Sequence, residues 1–294
     1  MSQTHPVGLI GIGLMGLACA KRLRLAGFAL LGYDVDETKI SAFTRLGGLR
    51  ASSVEELARD CHKIVLCVFN TEQVEHTIST LASARAPGQP PLIVVCVSTC
   101  DPDRISALVA RTAIEKIRYI EAPVSGTSVQ TEKGEALGLI GGELGDVDQA
   151  ADLLNAICPH RQYLGAAGNG GRAKLAINLI LGINRAALAE GLVLAKTLGL
   201  DTAAFLKVAA LSAAQSQVMQ TKGPKMVSGD FTAEGFIAQT RKDFMLMIEQ
   251  AGARQQLLPF AQTYLNIVDG CVAAGQAQLD NAIIIEEIRR RKSS

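Results

Sequence analysis

Residues 7–16 read VGLIGIGLMG, and the reading of this stretch decides the architecture of the first half of the chain. Val7–Gly11 is a short apolar run closed by glycine, the pattern of a buried strand. Gly11, Gly13 and Gly16 follow in G-x-G-x-x-G register, and a helical pattern runs from about 14 to 26. Gly27 stands where a C′ glycine stops a helix. A strand, a glycine turn and a helix in immediate succession give the three glycines separate jobs. Gly11 permits the tight turn, Gly13 lets a pyrophosphate approach the backbone, and Gly16 lets helix and strand pack closely. The free N–H groups of the helix start then face the phosphate charge.

Outward from this turn, the next strand is FALLGYD (28–34). It ends on Asp34, 23 positions after Gly11. A carboxylate there accepts hydrogen bonds from ribose hydroxyls and repels a 2′-phosphate. Val35 and Asp36 follow, and no Arg stands in the turn, which favours NAD over NADP. The competing reading has Asp34 capping the helix at 37–46, a task that suits Asp36 equally. SVEE (53–56) is a capping-box pattern, with Ser53 as N-cap and Glu56 at N3. KIVLCVF (63–69) and PLIVVCV (91–97) are continuous apolar runs, as expected of parallel strands buried on both faces. Asp101-Pro102 opens a helix to about 116. RYIEAPV and ALGLIGG read as two further strands, followed by a helix near 147–157 and a short strand, QYLG. This alternation predicts a doubly wound α/β sheet.

After Gly165 the pattern changes to helices alone, at about 170–198, 201–211, 213–228, 234–252, 258–273 and 280–290. Gly199 ends the first and Asp201 caps the second. The expected organisation is a Rossmann-type dinucleotide-binding domain over 1–166. An all-helical substrate and dimerisation domain over 167–294 follows, beginning with a long linking helix.

Composition narrows the function classes. Of 294 residues, 48% are hydrophobic and 19% charged, enough for a large core. Only 4% are aromatic, with no Trp, and the net charge is +1, so neither base stacking nor a polyanion partner is implied. The basic run RRRK (289–292) reads as a solvated tail. Seven Cys, an odd number in a chain of this size, argue against a disulfide framework. Cys67 and Cys96 lie in apolar runs and read as core thiols. The four His are scattered, so no metal site is assigned. The N-terminal stretch lacks a signal-peptide pattern, and no run of 18 uncharged apolar residues appears. The expectation is a cytoplasmic protein with no membrane or nucleic-acid partner.

Two further stretches carry chemistry. EAPVSGTSVQTEKG (121–134) follows a strand as a shaped loop. Its N–H groups and hydroxyls around Ser125, Gly126 and Thr127 suit a carboxylate; a plain polar surface turn is the alternative. In GNGGRAKLAINLILG (168–182), Lys174 and Asn178 stand at i, i+4 on one helix face, among apolar neighbours. Lys174 alone would read as a snorkelling lysine, but the paired amide points to a polar cleft.

Together these blocks resemble the β-hydroxyacid dehydrogenases, the family of 3-hydroxyisobutyrate dehydrogenase, tartronate semialdehyde reductase and L-threonate dehydrogenase-like enzymes. GLIGIGLMG, APVSGT, GNGGRAKLAIN and GFIAQTRKD (235–243) occur in the family's order and span essentially the whole chain. The resemblance implies that Lys174 is the general acid/base and that Asn178 orients the substrate. It implies that Ser125, Gly126 and Thr127 bind the substrate carboxylate. Gly11, Gly13, Leu14, Met15 and Gly16 would line the pyrophosphate. Val68, Phe69 and Asn70 would lie on one cofactor loop and Thr99 near the nicotinamide ribose, with Lys242 reaching the cofactor from the helical domain. It also implies a homodimer or homotetramer. Glu121 and Thr127 replace the family's usual Asp and Gly, and Phe69 stands where Pro is common. Thr127 would narrow the pocket or offer a hydroxyl to a polyhydroxy substrate.

The implied reaction moves a hydride between nicotinamide and the carbinol carbon of a small β-hydroxy acid. A neutral Lys174 takes the hydroxyl proton in oxidation, which requires a lysine pKa lowered by burial or nearby positive charge. The alternatives are an NAD(P)H-dependent semialdehyde reductase (tartronate, glyoxylate or succinic semialdehyde) and an L-threonate-type dehydrogenase. A 6-phosphogluconate-type enzyme shares the Lys-x-x-x-Asn pair, but its usual His before that Asn is Ile177 here. An imine reductase, or a dinucleotide sensor without catalysis, is the remote reading.

Overall fold

The computed structural model describes residues 5–112 and 117–291. The expected helix end near 116, the first four residues of the N-terminal stretch and Lys292 of the basic run lie outside the described residues. The chain divides into two compact units, Met1–Lys174 and Leu175–Ser294.

The first unit opens β1 (Val7–Ile10), α1 (Leu14–Leu25), β2 (Leu30–Tyr33), α2 (Glu37–Arg45) and β3 (Leu49–Arg50). It continues through α3 (Val54–Asp60), β4 (Lys63–Leu66), α4 (Thr71–Ala84), β5 (Leu92–Cys96), α5 (Pro102–Thr112) and β6 (Ile117–Glu121). These six strands form one parallel sheet in the order β3-β2-β1-β4-β5-β6. Successive residues of a strand point to opposite faces. Leu9, Val65 and Val95 therefore enter one core, and Ile10, Ile64, Leu66 and Val94 enter another. Both faces are buried, which is why these strands read as unbroken apolar runs rather than alternating ones. The doubly wound α/β expectation is met.

Three further strands form a separate sheet rather than extending the first. After β6 come β7 (Val124–Ser125), α6 (Ser128–Lys133), β8 (Leu137–Ile140), α7 (Leu144–Gln149), α8 (Ala151–Ile157) and β9 (His160–Tyr163). β7 pairs antiparallel with β8, and β8 pairs parallel with β9. Pro123 lacks an N–H and stands between β6 and β7, where the chain leaves the first sheet. The QYLG reading caught only the end of β9. Its first residues, His160 and Arg161, are polar, and apolar patterning misses them. The helix expected at 147–157 is two helices meeting at Ala150.

Other local readings are sharpened. Gly27 adopts φ 87°, and the Phe28 N–H reaches back to Leu23 O, closing the end of α1. Asp101 Oδ1 accepts the N–H groups of Asp103 and Arg104. The Ser53 capping box is only half made: Ser53 Oγ accepts the Glu56 N–H, but Glu56 Oε2 turns to the Ser52 N–H at 2.7 Å.

The second unit is helical, as expected. It takes in α9 (Asn169–Thr197) from Leu175 onward, α10 (Thr202–Leu211), α11 (Gln217–Thr221), α12 (Gly223–Ser228), α13 (Ile237–Gly252) and α14 (Pro259–Ala273). A short 3-10 turn at Asn281–Ile283 and α15 (Ile284–Arg290) complete it. The helix expected over 213–228 is broken between α11 and α12, beside Gly223-Pro224, because proline withholds a helical N–H. Asp201 caps α10 through the Ala204 N–H. Gly182 lets α9 press against Phe244 and Tyr264, whose rings stack tilted at 4.5 Å. Asp280 is wholly buried and accepts from Lys222 Nζ and from the Glu234, Gly235 and Ala282 N–H groups. It thereby holds the approach to α13.

α9 is long and apolar enough, by length and composition, to cross a membrane. No uncharged run of 18 residues is needed for that, since its charges are spaced out. Leu188, Ala189 and Leu192 of this helix nevertheless belong to the core of the second unit.

Candidate active site

The glycine turn has the geometry its spacing implies. Gly11 adopts φ 85°, and a side chain there would overlap the Cys67 carbonyl. A side chain on Gly16 would overlap the Gly11 carbonyl, so α1 packs on β1 only because position 16 has none. The space over Gly13 is open, with no atom within 4 Å of an added Cβ. Gly13 is the N-cap of α1, no side chain caps that helix, and its first turn carries no acidic residue. An uncapped helix start beside open space fits a pyrophosphate. Leu14 and Met15 are the first two residues of that helix.

Asp34 does not cap α2; Asp36 does, through the Thr38 N–H. Instead Asp34 spans the turn, with Oδ2 accepting the Ile12 N–H at 2.6 Å and Oδ1 the Asp36 N–H at 2.9 Å. Each carboxylate oxygen has a second lone pair for a hydroxyl donor. Lys39 Nζ stands 3.7 Å from Asp34 Oδ1. A reading that looked only for Arg in the turn passed over this cation.

The intermediate loops are tied together, since Ser98 Oγ donates to Val68 O at 2.7 Å. Phe69 is partly exposed and its N–H donates to Gln73 Oε1. Asn70 caps α4 by accepting the Gln73 N–H. Thr99 is buried.

The stretch read as a shaped loop is half helix. Thr127 and Gln130 form a full capping box at the start of α6. The signal, T-x-x-Q at 127–130, was present in the sequence but masked by the glycines around it. It changes what Thr127 offers. Its N–H is committed to Gln130 Oε1, and its hydroxyl oxygen accepts the Gln130 N–H. Its hydroxyl proton is what it still has to donate. Lys174 is buried, with 8% of its surface exposed, and Nζ donates to Val124 O at 2.7 Å. Within the first unit, the ammonium therefore sits at the peptide that leads into Ser125 and Gly126.

In the second unit, Asn178 Nδ2 donates to Asp243 Oδ2 at 2.9 Å. A carboxylate only accepts, so this contact fixes the amide's orientation, and its carbonyl oxygen points elsewhere. Asp243 Oδ1 also takes Lys242 Nζ at 3.1 Å and Gln239 Nε2 at 3.2 Å. Asp243 was absent from the sequence-derived site, though it closes the block GFIAQTRKD. Only the fold brings it to Asn178, 65 positions away.

A parallel sheet in this order, with an uncapped glycine turn and an acidic residue following β2, defines a dinucleotide-binding scaffold. The known proteins carry this further. Residues 6–165 match the family model described as the NAD binding domain of 6-phosphogluconate dehydrogenase. Residues 168–288 match the one described as NAD-binding of NADP-dependent 3-hydroxyisobutyrate dehydrogenase. The chain is 29% identical to an L-threonate dehydrogenase of Cupriavidus necator, over 97% of this chain and 96% of that one. It is 26% identical to the chloroplastic glyoxylate/succinic semialdehyde reductase 2 of Arabidopsis thaliana, over 99% and 81% respectively. A solved 3-hydroxyisobutyrate dehydrogenase from Salmonella typhimurium superposes with a TM-score of 0.87 at 25% identity, over 96% of this chain and 99% of that one. The chain belongs to the β-hydroxyacid dehydrogenase family, whose members are NAD(P)-dependent oxidoreductases of hydroxy acids.

Proposed function

We propose that this protein transfers a hydride between NAD and a small β-hydroxy acid of the 3-hydroxyisobutyrate kind, with Lys174 as general acid/base. One observation carries the reading: the buried Lys174 Nζ, 2.7 Å from Val124 O, at the entry to Ser125-Gly126-Thr127. NAD, held by its pyrophosphate at Gly11, Gly13, Leu14 and Met15, would supply hydride acceptance and donation at its nicotinamide ring. The Ser125 hydroxyl, the Gly126 N–H and the Thr127 hydroxyl proton hold the substrate carboxylate. Lys174 Nζ takes the proton of the substrate hydroxyl in oxidation and returns it in reduction. Asn178, held by Asp243, is the substrate-orienting residue of this reading. Val68, Phe69, Asn70 and Thr99 flank the cofactor. In this reading residues 1–166 are the dinucleotide domain and 167–294 the substrate and dimerisation domain.

The identity with an L-threonate dehydrogenase favours a second reading, in which the substrate is a sugar acid of that kind. A panel of hydroxy acids and semialdehydes, followed at 340 nm with both cofactors, separates the two. No cofactor-dependent absorbance change with any of them sinks both.

NAD is the preferred cofactor because the Asp34 carboxylate accepts ribose hydroxyls and repels a 2′-phosphate. Asp34→Ser should raise the KM for NAD by about tenfold, the worth of one charge-assisted hydrogen bond. It should also improve NADP use, since Lys39 then meets the phosphate without an intervening carboxylate. Equal kcat/KM for NAD and NADP in the unaltered protein overturns the preference.

The protein works in the cytoplasm as a homodimer or homotetramer. Ile180, Leu194, Leu198, Val208 and Leu211 are all more than half exposed on α9, α10 and the turn between them, an apolar surface that a second copy would cover. Light scattering should give two or four chain masses. A monomer at micromolar concentration refutes the assembly.

A further inference from the structure

Glu121 is the last residue of β6, and it is buried. A carboxylate taken out of water needs donors around it. Its donors come from the start of α9. Oε2 accepts the Gly168 N–H at 2.5 Å, and the Gly170 and Gly171 backbones lie against the same carboxylate. A Cβ on Gly171 would lie 3.1 Å from Glu121 Oε1, and one on Gly170 would meet Leu139 O at 2.6 Å with Glu121 Oε2 at 3.3 Å. The glycines before Lys174 thus let the helix start close onto the Leu139 carbonyl and the Glu121 carboxylate. Burial pushes the Glu121 carboxyl above its usual range, and the Gly168, Gly171 and Gly170 N–H groups with Arg172 oppose that shift.

Three residues on, the same backbone segment meets the helix again, since Val124 O accepts Lys174 Nζ at 2.7 Å. Residues 121–124 therefore grip one stretch of α9 at two points. One is the Gly168 N–H at its N-terminus, and the other is the Lys174 ammonium further along the helix.

We infer that Glu121 is the positioning residue for Lys174, anchoring the helix start so that Nζ stands at the Val124–Ser125 peptide and supplying negative charge that steadies its proton. The Glu in place of the family's Asp then bears on where the helix starts, through a side chain one methylene longer, rather than on the shape of the substrate pocket. This inference rests on Lys174 being the general acid/base.

The test compares the full-length protein with Glu121→Gln and Glu121→Asp. Glu121→Gln keeps the size and an acceptor oxygen but removes the charge. Turnover should fall about 10- to 100-fold while the Kd for NAD stays within twofold. The acid limb of kcat for oxidation should move to lower pH by about half a unit, because losing a nearby negative charge makes the lysine a weaker base. Amide exchange over residues 168–175 should quicken at least tenfold. Glu121→Asp should return the acid limb to its original place with only part of the rate. If Glu121→Gln does not fold, Gly171→Ala presses on the carboxylate from the helix side and should lower kcat and quicken the same exchange.

Unchanged kcat, acid limb and exchange in Glu121→Gln overturn the inference. So does a lost rate with an unmoved acid limb and no recovery in Glu121→Asp, which marks a purely structural carboxylate. Should Lys174→Ala keep its turnover, the functional reading fails instead. The exchange measurement then still reports whether Glu121 holds the helix start.

Discussion

Lys174→Ala should lose turnover by about three orders of magnitude while still binding NAD. A positioned general acid/base contributes about 10²- to 10⁴-fold. The substitution removes the group that moves the hydroxyl proton, and Lys174 is not in the glycine turn or beside Asp34. Stability should change little in comparison. Truncation deletes a buried amine together with its bond to Val124 O and leaves that carbonyl without this donor. The measurement is the rate of absorbance change at 340 nm on the substrate that the wild-type protein turns over best, with NAD binding followed separately by fluorescence. Turnover within tenfold of wild type removes Lys174 from the chemistry. Loss of NAD binding together with turnover gives it a structural role instead.

The largest effect on stability should come from Asp280→Ala. Asp280 is fully buried and bonds both oxygens to Lys222 Nζ at 2.9 Å. Burial already holds Lys222 below the ordinary lysine range, even with Asp280 beside it. Removing the carboxylate leaves that amine with only Glu234 Oε2, 3.6 Å away, and leaves the N–H groups of Glu234, Gly235 and Ala282 without their acceptor. Breaking a buried pair this way costs about 3–5 kcal/mol. Thermal unfolding should shift down by about 10 °C. The double variant Asp280→Leu with Lys222→Met should recover part of this, because the stranded charge is gone while the three N–H groups stay unpaired. A melting point within 2 °C of wild type for Asp280→Ala would show that the pair contributes little.

Much of the first unit was legible because its signals are local. The three glycines are marked by their spacing between positions 11 and 16, and Asp34 closes a strand that its apolar run reveals. The helix stops at Gly27 and Gly199 and the caps at Asp101 and Asp201 are equally local, decided by one or two side chains and a φ angle. That the last strands form a second sheet was not legible. Its strands are two to four residues long, one edge is polar, and what diverts it is a single proline after β6. The helix at 128–133 was hidden because it is six residues long and lies between Gly126 and Gly134, which read as turn residues.

The site divides along the same line. Residue type and spacing alone put Lys174 and Asn178 on one helix face, and the resemblance of four blocks pointed to the reaction. What only the tertiary structure decided is the set of partners: Val124 O on Lys174, Asp243 on Asn178, Lys39 beside Asp34 and Glu121 beneath Gly168, Gly170 and Gly171. Helical periodicity and turn stereochemistry act within a few residues, so a sequence displays them directly. Hydrogen bonds to Lys174, Asn178 and Gly168 join positions 47 to 65 apart, and they exist only once the chain has closed on itself.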